Sequence, residues 1–376
     1  MRTDFSTSLY LGIRQGSGEL RGWDALTSGV PASFKEAPDA VALGKSFARL
    51  QGLEDGVVAP STLHLFWDWF GGLPERNTVI FIDEHNYRVG AWGVERAAGK
   101  GVRCIRFRHQ SPTDLRRLLR AHLGAGQRPV IVSDGWCPFC GKAAPLGEYL
   151  ELIEPGNGLL VIDDTQALGV LGRNPTTTMP YGYGGGGLLP FLNISSNQVI
   201  AISSLAKAFG VPMAILSGST RQVNAFRMRS ETRVHASPPS AASLAAGKQA
   251  LLQNAGNGGD LRRKLLENIR LFKSSLSRAG IATKGGFFPV QTVVGLNENQ
   301  VRQLHSALWA KGIGTVPVMG HSKTPKLCWL LRAGHSREQI LNACNTFVVC
   351  LKNNRRISTY QLLNDSGDAN RKFAQR

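Results

Sequence analysis

Short apolar segments that end at polar side chains recur between residues 57 and 202, and they constrain the fold of this chain most strongly. The clearest are Val57–Thr62, Val79–Ile82, Val102–Phe107, Pro129–Val132, Leu159–Ile162 and Val199–Ile202. Helical patterns lie between several of them, including Leu63–Phe70, Gly93–Lys100 and Pro112–Leu123. Nearly continuous apolar strands alternating with helices are typical of a parallel sheet covered on both faces. We therefore predict an α/β fold with a mainly parallel sheet between helices.

Polar residues collect where these strands end. Asp83, Asp134 and Asp163 each follow an apolar segment, and Lys207 comes shortly after another. The ends of parallel strands meet at one side of a sheet, and open α/β folds bind ligands there. These side chains are therefore predicted to share a binding site.

Lys207 lies in the sequence Ser204-Leu205-Ala206-Lys207-Ala208-Phe209, so we expect apolar neighbours around its amine. Desolvation lowers the pKa of a lysine, and the neutral amine can form a Schiff base with an aldehyde. An isolated S-x-x-K pattern is more often an exposed lysine in a loop between strands. The choice between these interpretations depends on the rest of the chain.

The chain divides into four predicted regions. These are an N-terminal arm and helix (1–55), a large domain (56–240), a smaller α/β domain (241–350) and a polar, flexible tail (351–376). A long helical pattern over Ser240–Ala279 is interrupted near Asn254–Gly259. The glycine-rich stretch Gly172–Asn197 is either a mobile active-site loop or a simple flexible loop.

The formal net charge of +18 indicates a basic surface, which attracts either nucleic acid or anionic substrates and carrier proteins. The basic residues are dispersed, and no nucleic-acid-binding motif accompanies them, so nucleic acid is the less economical partner. No apolar run is long enough for a membrane helix, and the first residues lack the core of a signal peptide. We expect a cytoplasmic protein.

Six cysteines are present, and Cys137-Pro138-Phe139-Cys140 alone has the spacing of a motif. A zinc site of the usual kind requires further ligands, and no second pair is evident. A thioredoxin-type pair opens a helix in a small fold, whereas this pair follows an unrelated strand. We therefore expect reduced structural thiols and no metal site.

Several motifs, in order, resemble those of the α-oxoamine synthases, which depend on pyridoxal 5′-phosphate (PLP) and have the aminotransferase class I/II fold. Ser204–Gly210 resembles T-L-S-K-A-F-G, Val161–Gly172 resembles V-D-D-A-H-G-T-G-V-L-G, and Asp83–Gly93 resembles D-x-x-N-H-A-S-x-x-D-G. Asp134-Gly135 with Ala144-Pro145-Leu146 resembles E-G-x-F-S-M-D-G-D-x-A-P-L, and Ala333–Ser336 resembles A-x-H-T. Arg108-His109 with Asp114-Leu115 is similar to a segment that contains H-N-D.

The resemblance implies a role for each matching residue. Lys207 would bind PLP covalently and move a proton, and Asp163 would pair with the pyridine nitrogen. The remaining residues implied to bind the cofactor are Ser61, Thr62, Tyr87, Asp134, Gln166, Ser204 and Ser237. Ser61, Thr62 and Ser204 would hold the phosphate, and Ser237 would reach the phosphate of a neighbouring subunit. Without the resemblance, Ser61 or Thr62 is simply a helix cap.

Three positions depart from the family pattern. Tyr87 replaces a histidine that stacks on the cofactor ring, which makes it a poorer acid–base group near neutral pH. Gln166 replaces a second histidine and can donate a hydrogen bond but not a proton. Cys328 falls near the arginine that grips the substrate carboxylate, so a small amino-acid substrate is in doubt, unless Lys326 or Arg332 substitutes.

The resemblance implies a homodimeric, PLP-dependent transferase that joins an amine-bearing substrate to an acyl thioester, supplied by coenzyme A or an acyl carrier protein. An aminotransferase, or another PLP-dependent step in specialised metabolism, is one alternative. A catalytically idle binding protein with this fold is another.

Overall fold

The computed structural model describes residues 2–16, 26–73, 77–154, 157–320 and 324–354. Most of the predicted tail, from residue 355 onward, lies outside the described residues. The bulk of one compact unit comes from residues 9–263, and the bulk of a smaller one comes from residues 1–8 and from 264 onward.

Strands and helices alternate along the chain from the first strand to the fifth. In chain order the elements begin with β1 (Thr3–Asp4), α1 (Pro38–Leu50), β2 (Asp55–Ala59), α2 (Thr62–Gly71), β3 (Thr78–Asp83), α3 (Arg88–Gly99), β4 (Arg103–Phe107), α4 (Pro112–His122), β5 (Arg128–Asp134), β6 (Trp136–Cys137), β7 (Lys142–Ala143), α5 (Leu146–Ile153), β8 (Leu159–Asp163), α6 (Leu188–Phe191), β9 (Val199–Ser204) and β10 (Ala214–Gly218). They are followed by α7 (Thr220–Arg229), α8 (Thr232–His235), α9 (Ala241–Gly256), α10 (Gly258–Arg278), β11 (Thr283–Lys284), β12 (Val290–Val293), α11 (Glu298–Ala310), β13 (Ile313–Gly314), β14 (Val316–Met319), β15 (Pro325–Leu330) and α12 over residues 337–354.

The central sheet of the larger unit has seven strands in the order β2-β10-β9-β8-β5-β3-β4. The five strands β3, β4, β5, β8 and β9 run parallel, which confirms the predicted mainly parallel sheet. Strand β10 runs antiparallel to both β9 and β2. Only residues 205–213 separate β9 from β10, and a parallel pair requires a crossover of about a dozen residues or more. The short connection that contains Lys207 therefore reverses the chain direction.

Helices α2 and α3 pack together on this sheet. Phe66 and Phe70 of α2 are buried in the same apolar core as strand residues such as Ile80. At Gly93 of α3, an added Cβ would lie 2.8 Å from the carbonyl oxygen of Phe66, so only glycine permits this approach. Burial of each large apolar side chain contributes about 1.5–3 kcal/mol. The packing of these two helices holds the start of α2 in place.

Two predicted helices have different bounds in the structure. Helix α3 begins at Arg88, not at Gly93, because packing against α2 outweighs the low helix propensity of its glycines. The predicted Ser240–Ala279 helix is divided into α9 and α10 at Asn257, inside the predicted interruption.

The smaller unit has its own core. Its sheet is antiparallel, in the order β11-β12-β15-β14. Trp329 is fully buried, and its ring centroid lies 5.3 Å from that of Phe5, 5.3 Å from that of Phe272 and 5.6 Å from that of Phe347.

Among all the described helices, none combines the length and the apolar character that crossing a bilayer demands.

The glycine-rich stretch after β8 is packed against neighbouring chain. Backbone bridges join Leu168 to Gly186 and Arg173 to Tyr183, and Tyr181 is buried. Asp164 accepts hydrogen bonds from the backbone N–H of Leu188 on both carboxylate oxygens, at 3.2 and 3.1 Å. The buried carboxyl group of Asp164 therefore fixes the point where the glycine-rich stretch enters α6.

Candidate active site

Strand register places the predicted polar residues at one side of the central sheet, which we call the carboxyl edge. Asp134 at the end of β5 pairs with Asp163 at the end of β8, and Asp163 pairs with Ile202 of β9. On the other side of β9, Ser204 pairs with Ala214, which in turn pairs with Ala59. The start of α2, just after Ala59, therefore lies at the same edge as the aspartates.

Asp163 is a buried carboxylate with few protein donors. Its Oδ1 accepts a hydrogen bond from the backbone N–H of Thr165 at 3.0 Å. Burial raises the pKa of Asp163, while the hydrogen bonds of Thr165 and the charge of Lys207 oppose that rise. The carboxylate therefore favours a positively charged partner.

Lys207 lies in the short connection between β9 and β10, which is closed by a 2.8 Å hydrogen bond from the Leu205 N–H to the Met213 carbonyl. Leu205, Ala208 and Phe209 are buried, as expected, but Ala206 is exposed and does not wall the lysine. Burial lowers the pKa of Lys207, and the charges of Asp163 and Asp134 oppose this. The predicted desolvated amine is therefore present beside two carboxylates.

Asp134 connects the carboxyl edge to the loop before α3. Its Oδ1 accepts hydrogen bonds from Asn86 Nδ2 at 2.8 Å and from the backbone N–H of Tyr87 at 2.9 Å. Burial and the charge of Asp163 raise the pKa of Asp134. Tyr87 is 57% exposed, and Asn86 Oδ1 is buried without a hydrogen-bond partner among the described residues. We call Asp134, Asp163 and Lys207 the Lys207 group.

Gln166 is oriented by a residue from the N-terminal arm. Its Oε1 accepts a 2.7 Å hydrogen bond from the hydroxyl of Tyr10, which is fully buried. The amide oxygen is therefore engaged, and the amide nitrogen is the donor that Gln166 can offer. No local sequence signal identifies Tyr10 for this role, because 156 residues separate the two.

The predicted phosphate-binding hydroxyls have different environments. Ser61 occupies the N-cap position of α2, but its side chain makes no capping hydrogen bond, so the predicted cap is wrong in that respect. Its hydroxyl lies 2.9 Å from His64 Nδ1, and Thr62 is the first residue of the helix. The backbone N–H of Ser204 donates to Thr165 Oγ1 at 2.9 Å. Ser237 is exposed between α8 and α9, and its contact with a neighbouring subunit stays a prediction.

These groups match the chemistry of PLP. A lysine amine of lowered pKa suits the aldehyde, and a buried carboxylate suits the ring nitrogen. A helix start without a side-chain cap, together with nearby hydroxyls, suits a phosphate. Within the part of the chain that the structure describes, the buried Asn86 Oδ1 has no hydrogen-bond donor, so a ligand can supply one there. The residues present therefore fit this cofactor.

A second group of ionisable side chains lies at the end of β3. His109 Nδ1 is 2.8 Å from Asp83 Oδ1, and the backbone N–H of Gln110 donates to Asp83 Oδ2 at 2.9 Å. Burial raises the pKa of Asp83, but these hydrogen bonds outweigh it and the pKa is lowered. Burial lowers the pKa of His109, but Asp83 and Cys137 raise it to about 11. We call Asp83, His109 and Cys137 the Asp83 group.

The position expected for the carboxylate-binding arginine lies in the smaller unit. Cys328 is buried in β15, and burial raises the pKa of its thiol to about 12, so it remains neutral. Arg332 donates to the backbone oxygen of Asp4 at 3.0 Å, and lies 3.7 Å from its carboxylate. Cys328 cannot grip a carboxylate, and Arg332 already has an anionic partner.

A family model described as aminotransferase class I and II matches residues 73–347. An 8-amino-7-oxononanoate synthase from Pelobacter propionicus is 30% identical over 266 residues, which are 70% of this chain and 60% of that protein. One from Trichlorobacter lovleyi is 31% identical over 280 residues, 72% of this chain and 67% of that protein. The matched region thus spans about two thirds or less of these relatives.

Solved structures show the same fold. A structure of SPT with PLP has a TM-score of 0.81 at 16% identity, covering 93% of this chain and 87% of the other. An 8-amino-7-oxononanoate synthase from Francisella tularensis has a TM-score of 0.74 at 18% identity, covering 94% and 99%. The fold predicted from the sequence and the resemblance to α-oxoamine synthases are both confirmed.

Proposed function

The chain belongs to the aminotransferase class I and II family, and on that premise we propose that it is a PLP-dependent transferase of the α-oxoamine synthase type. It would join an amine-bearing substrate to an acyl thioester. The observation that carries this proposal is the Lys207 group, in which an amine of lowered pKa lies beside a buried carboxylate at the carboxyl edge of the sheet. The similarity to 8-amino-7-oxononanoate synthases supports acyl transfer as the reaction.

Each part of the cofactor has a proposed partner. Lys207 would bind the aldehyde carbon, and Asp163 would face the ring nitrogen. Ser61, Thr62 and Ser204 would hold the phosphate, assisted by the free N–H groups at the start of α2. When bound, PLP is an electron sink that stabilises negative charge on the carbon next to the substrate nitrogen.

The protein side chains supply charge and proton transfer. The carboxylate of Asp163 favours a protonated ring nitrogen, because an opposite charge nearby raises the pKa of that nitrogen. Lys207 Nζ, neutral once substrate has displaced it, takes a proton from the substrate carbon and later returns it. Gln166, whose oxygen is engaged by Tyr10, can donate a hydrogen bond through its nitrogen. The ring of Tyr87 would provide an aromatic surface rather than an acid.

The substrates would be small molecules with unusual anchoring. Neutral Cys328 offers no charge to an amino-acid carboxylate, so glycine, alanine and serine should be poor substrates. The net charge of +18 supports an anionic second substrate, an acyl-coenzyme A or an acyl carrier protein. We also propose a homodimer located in the cytoplasm, with Ser237 of each chain directed at the neighbouring site.

Covalent trapping of the cofactor tests the site. Purified protein should bind PLP, and borohydride reduction should attach it to Lys207, as identified by peptide mass spectrometry. Lys207→Ala should lose the attachment and the cofactor's visible absorption. Lys248→Ala, which changes an exposed lysine on α9, is the control and should keep both. Attachment to another lysine would show the assignment to be wrong.

A substrate screen tests the reaction. Amino acids and amines are assayed with acyl-coenzyme A donors, and release of free thiol that requires both partners supports acyl transfer. Formation of a keto acid without thiol release would indicate the aminotransferase suggested by the family model. Glycine, alanine and serine should give kcat/KM below about 10⁴ M⁻¹s⁻¹. Faster turnover would contradict the interpretation of Cys328, and PLP binding without any turnover would favour the idle protein.

A further inference from the structure

Two cysteines and a histidine converge at the carboxyl edge, outside the Lys207 group. One nitrogen of His109 and the sulfurs of Cys137 and Cys140 all lie within 4.8 Å of one another. Cys137 is buried, whereas His109 and Cys140 are half-buried. None of the six cysteines forms a disulfide, and all six lie in the described residues.

A short hairpin positions the two thiols. Strands β6 and β7 pair antiparallel, with Cys137 opposite Lys142, so Cys140 lies in the connecting turn. Gly141 in this turn has a φ of 67°, a conformation that favours glycine. The hairpin therefore brings the sulfurs at positions i and i+3 close together, the local spacing found in many cysteine metal sites.

Asp83 fixes the third potential ligand. It accepts three hydrogen bonds, from His109 Nδ1 at 2.8 Å and from the backbone N–H groups of His85 and Gln110, each at 2.9 Å. Because Asp83 engages Nδ1, Nε2 is the nitrogen through which His109 would bind a metal. A carboxylate that orients a metal-binding histidine in this way recurs around zinc.

We propose that Cys137, Cys140 and His109 bind one zinc ion, Zn²⁺. Both thiols bind as thiolates and release their protons, and the imidazole binds in its neutral form. Two thiolates balance the charge of the ion, and water fills the fourth position. No oxidation or reduction is involved.

The distances suit this ion after a small adjustment. With Zn–S near 2.3 Å and Zn–N near 2.0 Å, ligand atoms of a tetrahedral site lie roughly 3.5–3.8 Å apart. The present separations of at most 4.8 Å therefore have to shorten by at most about 1.3 Å. Rotation of the two cysteine side chains supplies such a change. The ion would join the hairpin that follows Asp134 to the loop after β4, which contains His109.

Metal titration of the intact protein tests the proposal without using its activity. Protein stripped with chelator is titrated with Co²⁺, which gives thiolate charge-transfer absorption, and then with Zn²⁺, which should displace it. We expect one ion per chain and a higher unfolding temperature. Cys140→Ser removes a ligand and should weaken binding by more than the roughly 10- to 100-fold typical of losing an outer-shell partner. Cys104→Ser, outside this cluster, is the control and should bind normally.

Three results would overturn the proposal. The first is no thiolate charge-transfer band, and the second is equal Zn²⁺ affinity in Cys140→Ser. The third is isolation of Cys137 and Cys140 as a stable disulfide. Attachment of PLP to Lys207 is measured in the same samples as a check of folding, so failure to bind zinc is distinguishable from failure of the proposed reaction.

Discussion

The carboxyl edge of the central sheet carries two groups of ionisable side chains whose pKa values move in opposite directions. In the Lys207 group, burial raises the pKa of Asp163 and lowers that of Lys207, so both shift toward their neutral forms. In the Asp83 group, hydrogen bonds overcome burial, so the pKa of Asp83 is lowered and that of His109 is raised to about 11. Both groups are at strand ends of the same sheet, so position in the fold does not explain the difference.

The difference comes from how many protein donors each carboxylate has. Asp83 accepts three hydrogen bonds, two from backbone N–H groups and one from His109. Asp163 accepts hydrogen bonds from the backbone N–H and the side chain of one residue, Thr165, and its other favourable interaction is with the amine of Lys207. A buried charge is stable when the protein supplies its partners. Asp83 is thus satisfied within the protein, whereas the Lys207 group gains most from a bound ligand.

Breaking the satisfied pair should have the largest effect on stability. In Asp83→Asn, His109 loses its anionic partner, and removing one member of a buried pair costs about 3–5 kcal/mol. In chelator-treated protein, where His109 binds no metal, denaturant unfolding should show this loss. NMR titration of the same samples should show the pKa of His109 falling from about 11 toward its ordinary range.

The sign of the pH dependence follows from the raised pKa. Protonated His109 stabilises the folded protein fully below its unfolded pKa, and this contribution is lost as pH rises through about 11. The difference in the free energy of unfolding between the unsubstituted protein and Asp83→Asn should therefore persist at neutral pH and shrink in strong base. Asp260→Asn, in an exposed pair with Arg263, is the control and should cost about 0–1 kcal/mol. An unchanged His109 titration would contradict the comparison.

Changing the unsatisfied group should affect turnover rather than folding. Asp163→Asn removes the charge that faces the cofactor ring, and loss of one such preorganised contact costs about 10²–10³-fold in kcat. Burial raises the pKa of neighbouring Asp164 to about 8, so that carboxyl group is mostly neutral at pH 7. Asp164→Asn is therefore a matched control and should retain most activity. Similar losses in both variants would show that the Asp163 charge has no special role.

His335 is a buried histidine to compare with His109. Its ring contacts a backbone oxygen, whereas that of His109 contacts a carboxylate. His335 is 2% exposed, and Nε2 lies 2.8 Å from the backbone oxygen of Asp4. Burial lowers its pKa to about 4, and the charge of Arg332 adds to this. Because the folded pKa is depressed, stability is lost as pH falls from 6.5 toward 4, by up to about 3 kcal/mol. Unfolding measured between pH 7 and 4 should show this slope, and His335→Gln should flatten it.

The sequence predicted the Lys207 group because Asp134 and Asp163 come at the ends of apolar strands and Lys207 comes three residues after another. Register between parallel strands then brings Asp134 beside Asp163 without any information about side-chain packing. The strands themselves were predicted to within a few residues, since continuous apolar runs are typical of a sheet buried on both faces. The antiparallel direction of β10 was missed, although the short connection after β9 indicates it.

The sequence did not predict the Asp83 group as a unit, because its members come from separate loops. Cys137 follows His109 by 28 residues and Asp83 by 54, and no periodic pattern connects them. The sequence indicated no metal ligands beyond Cys137 and Cys140, because it contains no second pair with motif spacing. His109 lies close to them only in the folded chain. Likewise, the hydrogen bond from Tyr10 to Gln166 joins residues of the larger unit that are 156 positions apart in the sequence. Contacts of this kind are decided by tertiary packing and leave no local pattern in the sequence.

The smallest effect is expected at Ser61. This residue tests whether a hydroxyl without a capping hydrogen bond contributes only when the cofactor is bound. Its side chain makes no capping hydrogen bond, whereas Ser111, at the start of α4, accepts one from the Asp114 N–H at 3.3 Å. Without PLP, Ser61→Ala should therefore change the free energy of unfolding by less than about 0.5 kcal/mol, and Ser111→Ala should cost about 1 kcal/mol. With PLP the order should reverse, because Ser61 is proposed to hold the phosphate and Ser111 is not. Isothermal titration should show weaker PLP binding in Ser61→Ala alone. Equal PLP affinity in both variants would mean that the hydroxyl of Ser61 serves His64 and not the cofactor.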